Sequence, residues 1–517
     1  MDRRLSLADR CVHHVQIAVR NGSRYVHKLT SNVNFQLFSE REDVNSTDWV
    51  LKSGSAVFVV SEHRAEILPI PASQVPPNSG QDDSSDNPLT SPPPVSDERH
   101  SLSSAPANFH RNVSEIHQLG YVSPPFSTQN LGFKLPPNAL GNIDSVCNIA
   151  FEVCDVAATV ELAQKGGAQV LVEPTVIKDS SGYVTIAAIK SCVGNVVHTI
   201  LNSEHYEGVF LPGFSEISNS NFKSDLCNNS ISSHIICNGS KKCVSQSDSE
   251  LAKETVTHFD HVTFAIPTET SNEVLEWYER CFGMRRFWLD RNEDKLEGFL
   301  VRGSSVGLRM KAMEYWRCAE TGLVFSEERG KERKGPKKGT NMMFVVAEAL
   351  PDQGPNQVET FIEQHGGPGI QHIGLYTPDI EYTVGLLKER GLDFMVPPST
   401  YYTEVGKLDE MKLVGKDPAI LKELGILLDA EDFQDKVDAD EKGSPDGTDP
   451  NIRYLMQVFT RPFFDRDTFF LEVIQRHGAS GFGAGNIKAL WRSVEAYMVR
   501  KESLEKETHG SKEVLNY

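Results

Sequence analysis

The sequence lacks any long apolar run: no stretch approaches the roughly 18 residues that a membrane-spanning helix needs, and the N-terminus has no apolar segment of a secretory signal. It also lacks paired cysteines, because the nine cysteines are dispersed, odd in number and never spaced as C-x-x-C. These absences argue against a membrane span, a disulfide framework and a zinc cluster. We therefore expect a protein of a reducing compartment.

Positive charge is also scarce. Lys and Arg number 52 against 71 Asp and Glu, which leaves a formal net charge of −19 over 517 residues. A nucleic-acid partner needs a basic face, so this balance argues against one. The basic run at residues 330–339 contains glycines and a proline but no aromatic residue, which is typical of a solvated loop. The mixture of 39% hydrophobic and 24% charged residues is that of a globular protein.

Two polar segments divide the chain. Residues 72–110 are dominated by Pro, Ser, Asp and Asn, and residues 216–254 by Ser, Asn and Lys. Such segments bury too little apolar area to offset chain entropy, so we expect a disordered insertion and a linker. The predicted organisation is an N-terminal domain (8–215, with the insertion 72–110), a linker (216–254), a C-terminal domain (255–500) and a polar tail (501–517).

A weak repeat runs through both halves of the chain. The short strands "CVHHVQIAV", "SVCNIAFEV", "HFDHVTFAI" and "GIQHIGLYT" begin at residues 11, 145, 258 and 369, and each precedes a stretch of helical periodicity and then further strands. A period of this length is too long for a solenoid and suits βαβββ modules. The repeat predicts an α+β fold with four modules, two in each domain.

Alignment of the four strands places one residue of each at an equivalent position: His14, Asn148, His261 and His372. Only the second half keeps a good metal ligand in both copies. In the third strand, alternation puts His261 on the face opposite Val262, away from the helix-packed side. We therefore expect a site in the C-terminal domain, and a structural or dimerising N-terminal domain.

Glu472 stands in the strand "FFLEVI", whose two faces are otherwise apolar. An unpaired buried carboxylate costs several kcal/mol or becomes protonated, so a cation or a full set of hydrogen bonds is expected beside it. His261, His372 and Glu472 together match the facial triad of non-haem iron(II) oxygenases. A lone histidine in a strand is more often a core residue, and spacing and repeat alone leave the metal site and the core histidines equally open.

Seven motifs in the C-terminal half occur in a specific order: "FDHV" with "EWYERCFGMRRFW", "GGPGIQHIGLYTPDI", "VPPSTYY", "LMQVFTRP", "FFLEVIQR" and "GFGAGN". With them the chain resembles the 4-hydroxyphenylpyruvate dioxygenase family of the vicinal oxygen chelate superfamily, from about residue 255 to 500 and more faintly in the N-terminal half. It is more similar still to the dioxygenase-like branch of that family, in "GLYTPDI", "DTFFLE", "VVAEALP" and "GASGFGAGNIKALWRSV".

The resemblance implies an enzyme whose paired modules form an open barrel in each domain. It implies one Fe(II) per subunit, held by His261, His372 and Glu472, with 4-hydroxyphenylpyruvate and O2 as substrates. The 2-keto carboxylate of the substrate would chelate the metal, so that no separate 2-oxoglutarate is needed. A homodimer is implied as well. The dioxygenase-like branch implies a mitochondrial location, and the parent enzymes a cytoplasmic one.

The resemblance also implies the substrate pocket. Polar positions are Gln357, Gln457 and Asn486, and aromatic walls are Phe459, Phe470 and Phe482. Without the family, each phenylalanine would be assigned to the core, and Gln357 to the solvated start of a helix. Alternation independently places Gln457 with Phe459, and Phe470 with Glu472.

Two positions depart from the family pattern. Ala347 stands where dioxygenases carry a pocket asparagine, so a polar contact to substrate is lost or replaced. Ile487 follows "GFGAGN" where homogentisate-forming enzymes carry phenylalanine, and it resembles 4-hydroxymandelate synthase. A smaller side chain there leaves room for the intermediate to present its benzylic carbon, so Ile487, with Gln457 and Asn486, is a predicted catalytic-site residue. The alternative is that isoleucine is a tolerated apolar substitution.

Three functions follow as hypotheses. The first is an Fe(II) dioxygenase that makes 4-hydroxymandelate, with a role in ubiquinone head-group synthesis inferred from the dioxygenase-like branch. The second makes homogentisate in tyrosine catabolism. The third, of another class, is an inactive binding or regulatory paralogue. The complete ligand set argues against the third, and Ala347 with the long insertions argues mildly for it.

Overall fold

The computed structural model describes residues 11–43, 46–63, 143–217, 255–289, 293–294, 296–302, 307–315, 342–351, 356–403, 407–431 and 452–490. The chain divides into two units, Met1–Arg64 with Leu131–Tyr517, and Ala65–Asn130; the second unit lies wholly outside the described residues. The predicted insertion, the tail and the linker from residue 218 onward also lie outside them. The domain boundaries therefore stay predictions.

The described part of the N-terminal half forms a nine-stranded sheet. Its strands are β1 (Cys11–Val19), β2 (Gln36–Glu42), β3 (Ser46–Ser53), β4 (Ala56–His63), β5 (Ser145–Glu152), β6 (Gln169–Asp179), β7 (Gly182–Lys190), β8 (Val197–Asn202) and β9 (Ser215–Glu216). The order across the sheet is β6-β7-β8-β5-β1-β4-β3-β2-β9.

The described part of the C-terminal half forms a second sheet. Its strands are β10 (His258–Ala265), β11 (Met284–Phe287), β12 (Phe299–Arg302), β13 (Gly307–Tyr315), β14 (Met343–Ala349), β15 (Gly369–Tyr376), β16 (Leu427–Ala430), β17 (Tyr454–Phe459) and β18 (Phe470–His477). The order is β11-β13-β14-β10-β15-β18-β17-β16, and β12 pairs with β13.

Both sheets repeat one unit twice. The first and last strands of each unit pair in parallel: β1 with β4, β5 with β8, β10 with β14, and β15 with β18. The two first strands of each sheet pair antiparallel at its centre, β1 with β5 and β10 with β15. The predicted α+β fold of paired βαβββ modules is therefore confirmed, with two curled sheets that are each open at the edges.

Helices follow the first strand of each module. Those described are α1 (Gly22–His27), α2 (Val156–Lys165), α3 (Ser271–Phe282), α4 (Gln357–His365), α5 (Ile380–Glu389), α6 (Lys407–Leu413) and α7 (Pro418–Leu424), with a π-helical turn at Lys28–Asn32 and a 3-10 turn at Ser399–Tyr402. Several begin after an Asn or Asp whose side chain accepts a hydrogen bond from the first turn, as Asp155 does for α2 and Asn356 for α4. Among the described helices, none combines the length and hydrophobicity that crossing a membrane requires.

The main core joins the helix-packed faces of both sheets. In β10, Val262 and Phe264 belong to it together with Tyr278 of α3, while His261 lies on the other face, as alternation predicts. Rings from the two halves also meet within this core, such as Phe58 with Phe259, whose centroids are 5.0 Å apart. On the opposite face of the C-terminal sheet, a separate apolar cluster joins Ala265 and Val345 of the strands to Phe361 of α4.

Candidate metal centre

Three neighbouring strands bring His261, His372 and Glu472 together. His261 lies on β10, His372 on β15 and Glu472 on β18, and one ligand atom from each lies within 4.8 Å of the others. Glu472 Oε2 is 3.2 Å from His261 Nε2 and 3.6 Å from His372 Nε2. Residues 111 and 100 positions apart in sequence converge because β15 pairs with both β10 and β18.

The centre is buried, with Glu472 3% exposed and His261 2% exposed. Burial lowers the pKa of His261, but the carboxylates of Glu472 and Asp260 outweigh burial and raise it to about 9. Burial, and then the charge of His261, hold the pKa of His372 well below its usual value. The carboxylate thus attracts a positive charge, and the two imidazoles with one carboxylate are the donor set of a facial triad. The residues present fit Fe(II).

Each histidine of the candidate centre is oriented by the residue before it. Asp260 Oδ1 accepts a hydrogen bond from His261 Nδ1 at 2.8 Å, and Gln371 Oε1 lies 3.3 Å from His372 Nδ1. The pairing of β10 with β15 shifts register at both residues, Asp260 and Gln371, so each occupies a β-bulge. The bulges let adjacent residues meet side by side, which strict alternation forbids. Each imidazole then directs Nε2 at the centre.

Asp260 is itself held by Arg476 of β18. The guanidinium donates from Nε to Oδ2 and from Nη2 to Oδ1, both at 2.7 Å. Burial raises the pKa of the Asp260 carboxyl, but Arg476 and His261 outweigh it and hold the pKa below its usual range. The charged carboxylate therefore persists next to His261. Sequence reasoning missed both residues, although each lies inside a motif it used, "FDHV" and "FFLEVIQR".

Aromatic rings enclose the histidines. The Phe470 ring stacks on His372 with centroids 4.7 Å apart, and Phe482 meets the His261 ring edge-on at 4.9 Å. Phe459 packs edge-on against Phe470 at 6.0 Å and lies opposite Glu472 in the β17–β18 pairing. The three phenylalanines predicted to wall the pocket therefore surround the centre in the structure.

Two buried amides near this wall have polar atoms without a protein partner among the described residues. They are Gln457 Oε1 and Asn486 Nδ2. The other amide atom of Asn486, Oδ1, accepts a hydrogen bond from Tyr401 Oη at 2.6 Å, which fixes its orientation. Gln457 packs against Gly483, where an added Cβ would lie 2.2 Å from Oε1. An acceptor and a donor are thus both unpaired in the interior, where an unpaired polar atom is costly.

The remaining predicted pocket residues fall in different places. Gln357 is the exposed first residue of α4, and within the described residues no hydrogen bond or ring contact joins it to the centre. Ala347 is buried in β14, in an apolar cluster that also contains Phe482. Ile487 packs against the same cluster from residues 484–490, which are helical. With alanine at position 347, the wall beside Phe482 is therefore apolar, whereas an asparagine at this position would make it polar.

The fold and the site define a class. Residues 258–409 match the family model "Glyoxalase/Bleomycin resistance protein/Dioxygenase superfamily", a span that includes His261 and His372. A triple mutant of 4-hydroxymandelate synthase from Streptomyces coelicolor has the same fold, with a TM-score of 0.56 and 19% identity over 94% of this chain and 98% of that one. Residues 258–409 thus match this superfamily by sequence, and the chain shares its fold with that enzyme.

Curated relatives narrow the class. The 4-hydroxyphenylpyruvate dioxygenase-like protein of Homo sapiens is 34% identical over 366 residues, which cover 70% of this chain and 80% of the relative. That of Mus musculus is 32% identical over 365 residues with the same coverage. The 4-hydroxyphenylpyruvate dioxygenase of Xenopus tropicalis is 31% identical over 355 residues, 68% of this chain and 72% of the relative. The chain belongs to the 4-hydroxyphenylpyruvate dioxygenase family.

Proposed function

We propose that the protein is an Fe(II)-dependent dioxygenase that oxidatively decarboxylates 4-hydroxyphenylpyruvate and hydroxylates its benzylic carbon to give 4-hydroxymandelate and CO2. The cluster of His261, His372 and Glu472, in a chain whose relatives are named for this substrate, carries the proposal. Three protein ligands leave coordination positions for a keto acid and O2. Bound Fe(II) would supply the redox chemistry of oxygen activation.

The protein's residues contribute binding and orientation. Asp260 keeps a proton on Nδ1 of His261, so that Nε2 stays available as a ligand. Phe459, Phe470 and Phe482 form apolar walls that keep water from the ring of the substrate. We propose that the phenol hydroxyl donates to Gln457 Oε1 and accepts from Asn486 Nδ2, which satisfies both unpaired amide atoms.

The choice of 4-hydroxymandelate rests on Ile487 and its neighbours. Ile487 and Ala347 contact one apolar cluster with Phe482, whose ring touches His261. The space beside the reacting side chain is larger than a phenylalanine at position 487 would leave. We infer that the intermediate can rotate to present its benzylic carbon. Homogentisate, which requires attack on the ring and migration of the side chain, is the second candidate.

The test is a product assay. Purified protein loaded with Fe(II) is incubated with 4-hydroxyphenylpyruvate under oxygen, and the aromatic products are separated by chromatography and identified by mass spectrometry with authentic standards. We expect 4-hydroxymandelate, because of Ile487. Homogentisate as the sole product would overturn the proposed product while leaving the dioxygenase intact. Glu472→Gln should abolish both products, and Asp467→Asn, an exposed carboxylate on the same segment, should abolish neither.

An inactive binding or regulatory paralogue is the candidate of another class. Metal addition distinguishes it, because a ligand present at about 100 times its Kd stabilises the folded state by about 2.7 kcal/mol. We expect Fe(II), added without oxygen, to raise the melting temperature of the wild type and not that of Glu472→Gln. No oxygen consumption with keto acid, together with an unchanged melting temperature, would support the paralogue instead.

The proposal also covers the oligomeric state of the protein, its location in the cell and the pathway that it serves. From the family resemblance we propose a homodimer, a mitochondrial location with the cytoplasm as the alternative, and supply of the 4-hydroxybenzoate head group of ubiquinone. Light scattering on the purified chain tests the first, since a monomer mass would contradict it. Imaging of a C-terminally tagged chain tests the second. Labelled 4-hydroxyphenylpyruvate that fails to label ubiquinone would contradict the third.

A further inference from the structure

The N-terminal sheet has a pocket where the C-terminal sheet has its metal centre. His14 pairs with Ala150 as His261 pairs with Gly374. Thr199 lies on β8 opposite Ala150, as Glu472 lies on β18 opposite Gly374. Asn148 takes the place of His372, because it faces Gln16 on the neighbouring strand as His372 faces Thr263. His14, Asn148 and Thr199 all line one pocket, and these three positions correspond to the metal ligands.

The β-bulges are repeated as well. The β1–β5 pairing shifts register at His13, as the β10–β15 pairing does at Asp260. His13 Nδ1 lies 2.8 Å from His14 Nδ1, so the residue before the ligand position again holds the imidazole by Nδ1. Nε2 of His14 therefore takes no part in that contact. The N-terminal half therefore has the bulge and the Nδ1 contact that orient a histidine, with an amide and a hydroxyl at the other two positions.

A metal is not the expected occupant of this pocket. An amide and a hydroxyl replace an imidazole and a carboxylate, and the nearby carboxylate of Asp48 is engaged by Arg41, whose Nη2 is 2.7 Å from it. Burial, and then the charges of His13 and Arg41, hold the pKa of His14 well below its usual value. Burial lowers the pKa of His13 to about 4. Neutral imidazoles of His13 and His14 beside a paired Arg41 and Asp48 leave these four residues without net charge at neutral pH.

A chain of hydrogen bonds forms the polar floor. Ser61 Oγ donates to Asp48, Gln16 Nε2 donates to Ser61 at 2.8 Å, and Asn148 Nδ2 donates to Gln16 at 3.1 Å. Asn148 Oδ1 in turn accepts from the backbone N–H of Thr199 at 3.0 Å. The chain ends there, because Thr199 Oγ1 is buried without a partner among the described residues. Thr199 also lines the pocket, so its hydroxyl is an unsatisfied polar group at the pocket wall.

The walls of the pocket are apolar. Lining side chains include Ile177, Val184, Ile186 and Phe210, and the Phe210 ring lies 5.4 Å from His14. The cavity volume is about 50 Å³. One water-sized probe needs about 10–15 Å³, so the space suits about three to five water-sized groups.

We propose that this pocket is a second ligand-binding site, for a small uncharged molecule whose hydroxyl or amide group bonds Thr199 Oγ1 and His14 Nε2 while its apolar part contacts Phe210. The site is independent of the metal centre, because none of its side chains belongs to the C-terminal sheet. It keeps the position and the histidine orientation of the metal centre, with a neutral hydrogen-bonding set in place of the metal ligands.

Methyl NMR on full-length protein labelled at isoleucine δ1 tests the proposal. The probes are propan-2-ol, acetamide and acetate, which have the same number of non-hydrogen atoms but differ in charge. We expect propan-2-ol or acetamide to shift the Ile177 and Ile186 signals saturably, and to leave Ile373 of the C-terminal core unchanged. Acetate should shift them far less, since burying a charge without a counter-ion is costly.

Thr199→Val provides the decisive comparison, because it removes the hydroxyl at nearly constant shape. Binding should weaken about fivefold or more, while Thr175→Val, at an exposed position, should leave it unchanged. Glu472→Gln should bind the probe as the wild type does, which separates this proposal from the proposed enzyme activity. Three results would each overturn the proposed site: shifts that do not saturate, equal binding by Thr199→Val and wild type, or preferential binding of acetate. Shifts that do not saturate would mean that the pocket holds ordered water only.

Discussion

His261 lies directly against Gly374 across the central strand pair of the C-terminal sheet. The two residues are register partners in β10 and β15, and a Cβ added to Gly374 would lie 2.4 Å from two atoms of the imidazole ring. Gly374 also pairs with Glu472 on its other side. The lack of a side chain at residue 374 is therefore what allows the first and third ligands to approach each other.

Gly374→Ala should weaken metal binding without changing any ligand. The added methyl group must displace the His261 ring, because the backbone of β15 is held between two strands. We expect Fe(II) affinity, measured by anaerobic titration, to fall at least about tenfold, as for altered second-shell partners. An unchanged affinity would contradict the proposed close approach.

Gly385→Ala is the matched control. Gly385 lies within α5, and an added Cβ would meet nothing within 4 Å. Alanine in a helix interior is more favourable than glycine by about 0.5–1 kcal/mol, so the melting temperature should rise slightly and Fe(II) affinity should not change.

Asp260→Asn should weaken metal binding through His261. The carboxylate accepts from Nδ1 and is fixed by two bonds from Arg476. Asparagine keeps one acceptor oxygen but loses the charge and the second oxygen that bind Arg476, so it holds the imidazole less firmly. We expect Fe(II) affinity to fall about 10–100-fold. Far-ultraviolet circular dichroism of the apo-protein shows whether the fold survives, since Arg476 would be left with a weaker buried partner. Wild-type affinity in a folded variant would contradict the orienting role of Asp260.

Ile487→Phe should change the product. A larger ring in the apolar cluster with Ala347 and Phe482 would restrict rotation of the intermediate. We expect the ratio of homogentisate to 4-hydroxymandelate to rise at least about tenfold, because a pocket contact of this size discriminates by about 10–200-fold. Ile487→Val, which adds no bulk, is the control and should keep the wild-type ratio. An unchanged ratio of homogentisate to 4-hydroxymandelate in Ile487→Phe would show that isoleucine is only a tolerated substitution.

His198 should make the protein sensitive to acid. It is buried between the two halves, with Nε2 2.9 Å from Tyr278 Oη, and burial lowers its pKa to about 3. The unfolded value is near 6.5, so the unfolded state binds more protons between these two pH values. The stability that neutral His198 contributes is therefore full above about pH 6.5 and is lost as pH falls towards 3, with a slope of about 1.4 kcal/mol per pH unit.

His198→Phe tests that slope, because it keeps an aromatic ring among Trp277, Phe282 and Phe344 but cannot be protonated. Urea unfolding at several pH values between 4 and 6.5 should show a reduced slope in this variant. His205→Gln, at an exposed position, should keep the wild-type slope. Equal slopes in His198→Phe and wild type would contradict a neutral buried His198.

Much of the fold was predictable from the sequence because the repeat is local. The four first strands and the helices after them carry strong periodic patterns, and the structure places β1, β5, β10 and β15 within one residue of the predicted bounds. Glu472 was predictable as a candidate ligand because a carboxylate in an apolar strand requires a cation or a full set of hydrogen bonds beside it. The pairing of strands distant in sequence came only from the repeat and the resemblance.

Residues that support the ligands were not predictable in this way. Asp260 and Gln371 each precede a ligand histidine, and alternation would put them on the opposite face. They reach the imidazoles because each occupies a bulge, which depends on the register of two strands rather than on local sequence. The role of Tyr401 likewise depends on a contact with Asn486 across 85 residues.

The sequence by itself predicted the four modules and the need for a partner beside Glu472, because periodicity and a buried charge are properties of a single strand. The family resemblance added the candidate ligand set and the departures at Ala347 and Ile487. Only the tertiary structure decided that Gly374 makes room for His261, that Arg476 fixes Asp260, that Gln357 is exposed, and that the N-terminal sheet keeps a neutral pocket at the equivalent place. The physical reason is that these features depend on strand register and on side chains that meet only after the strands have paired.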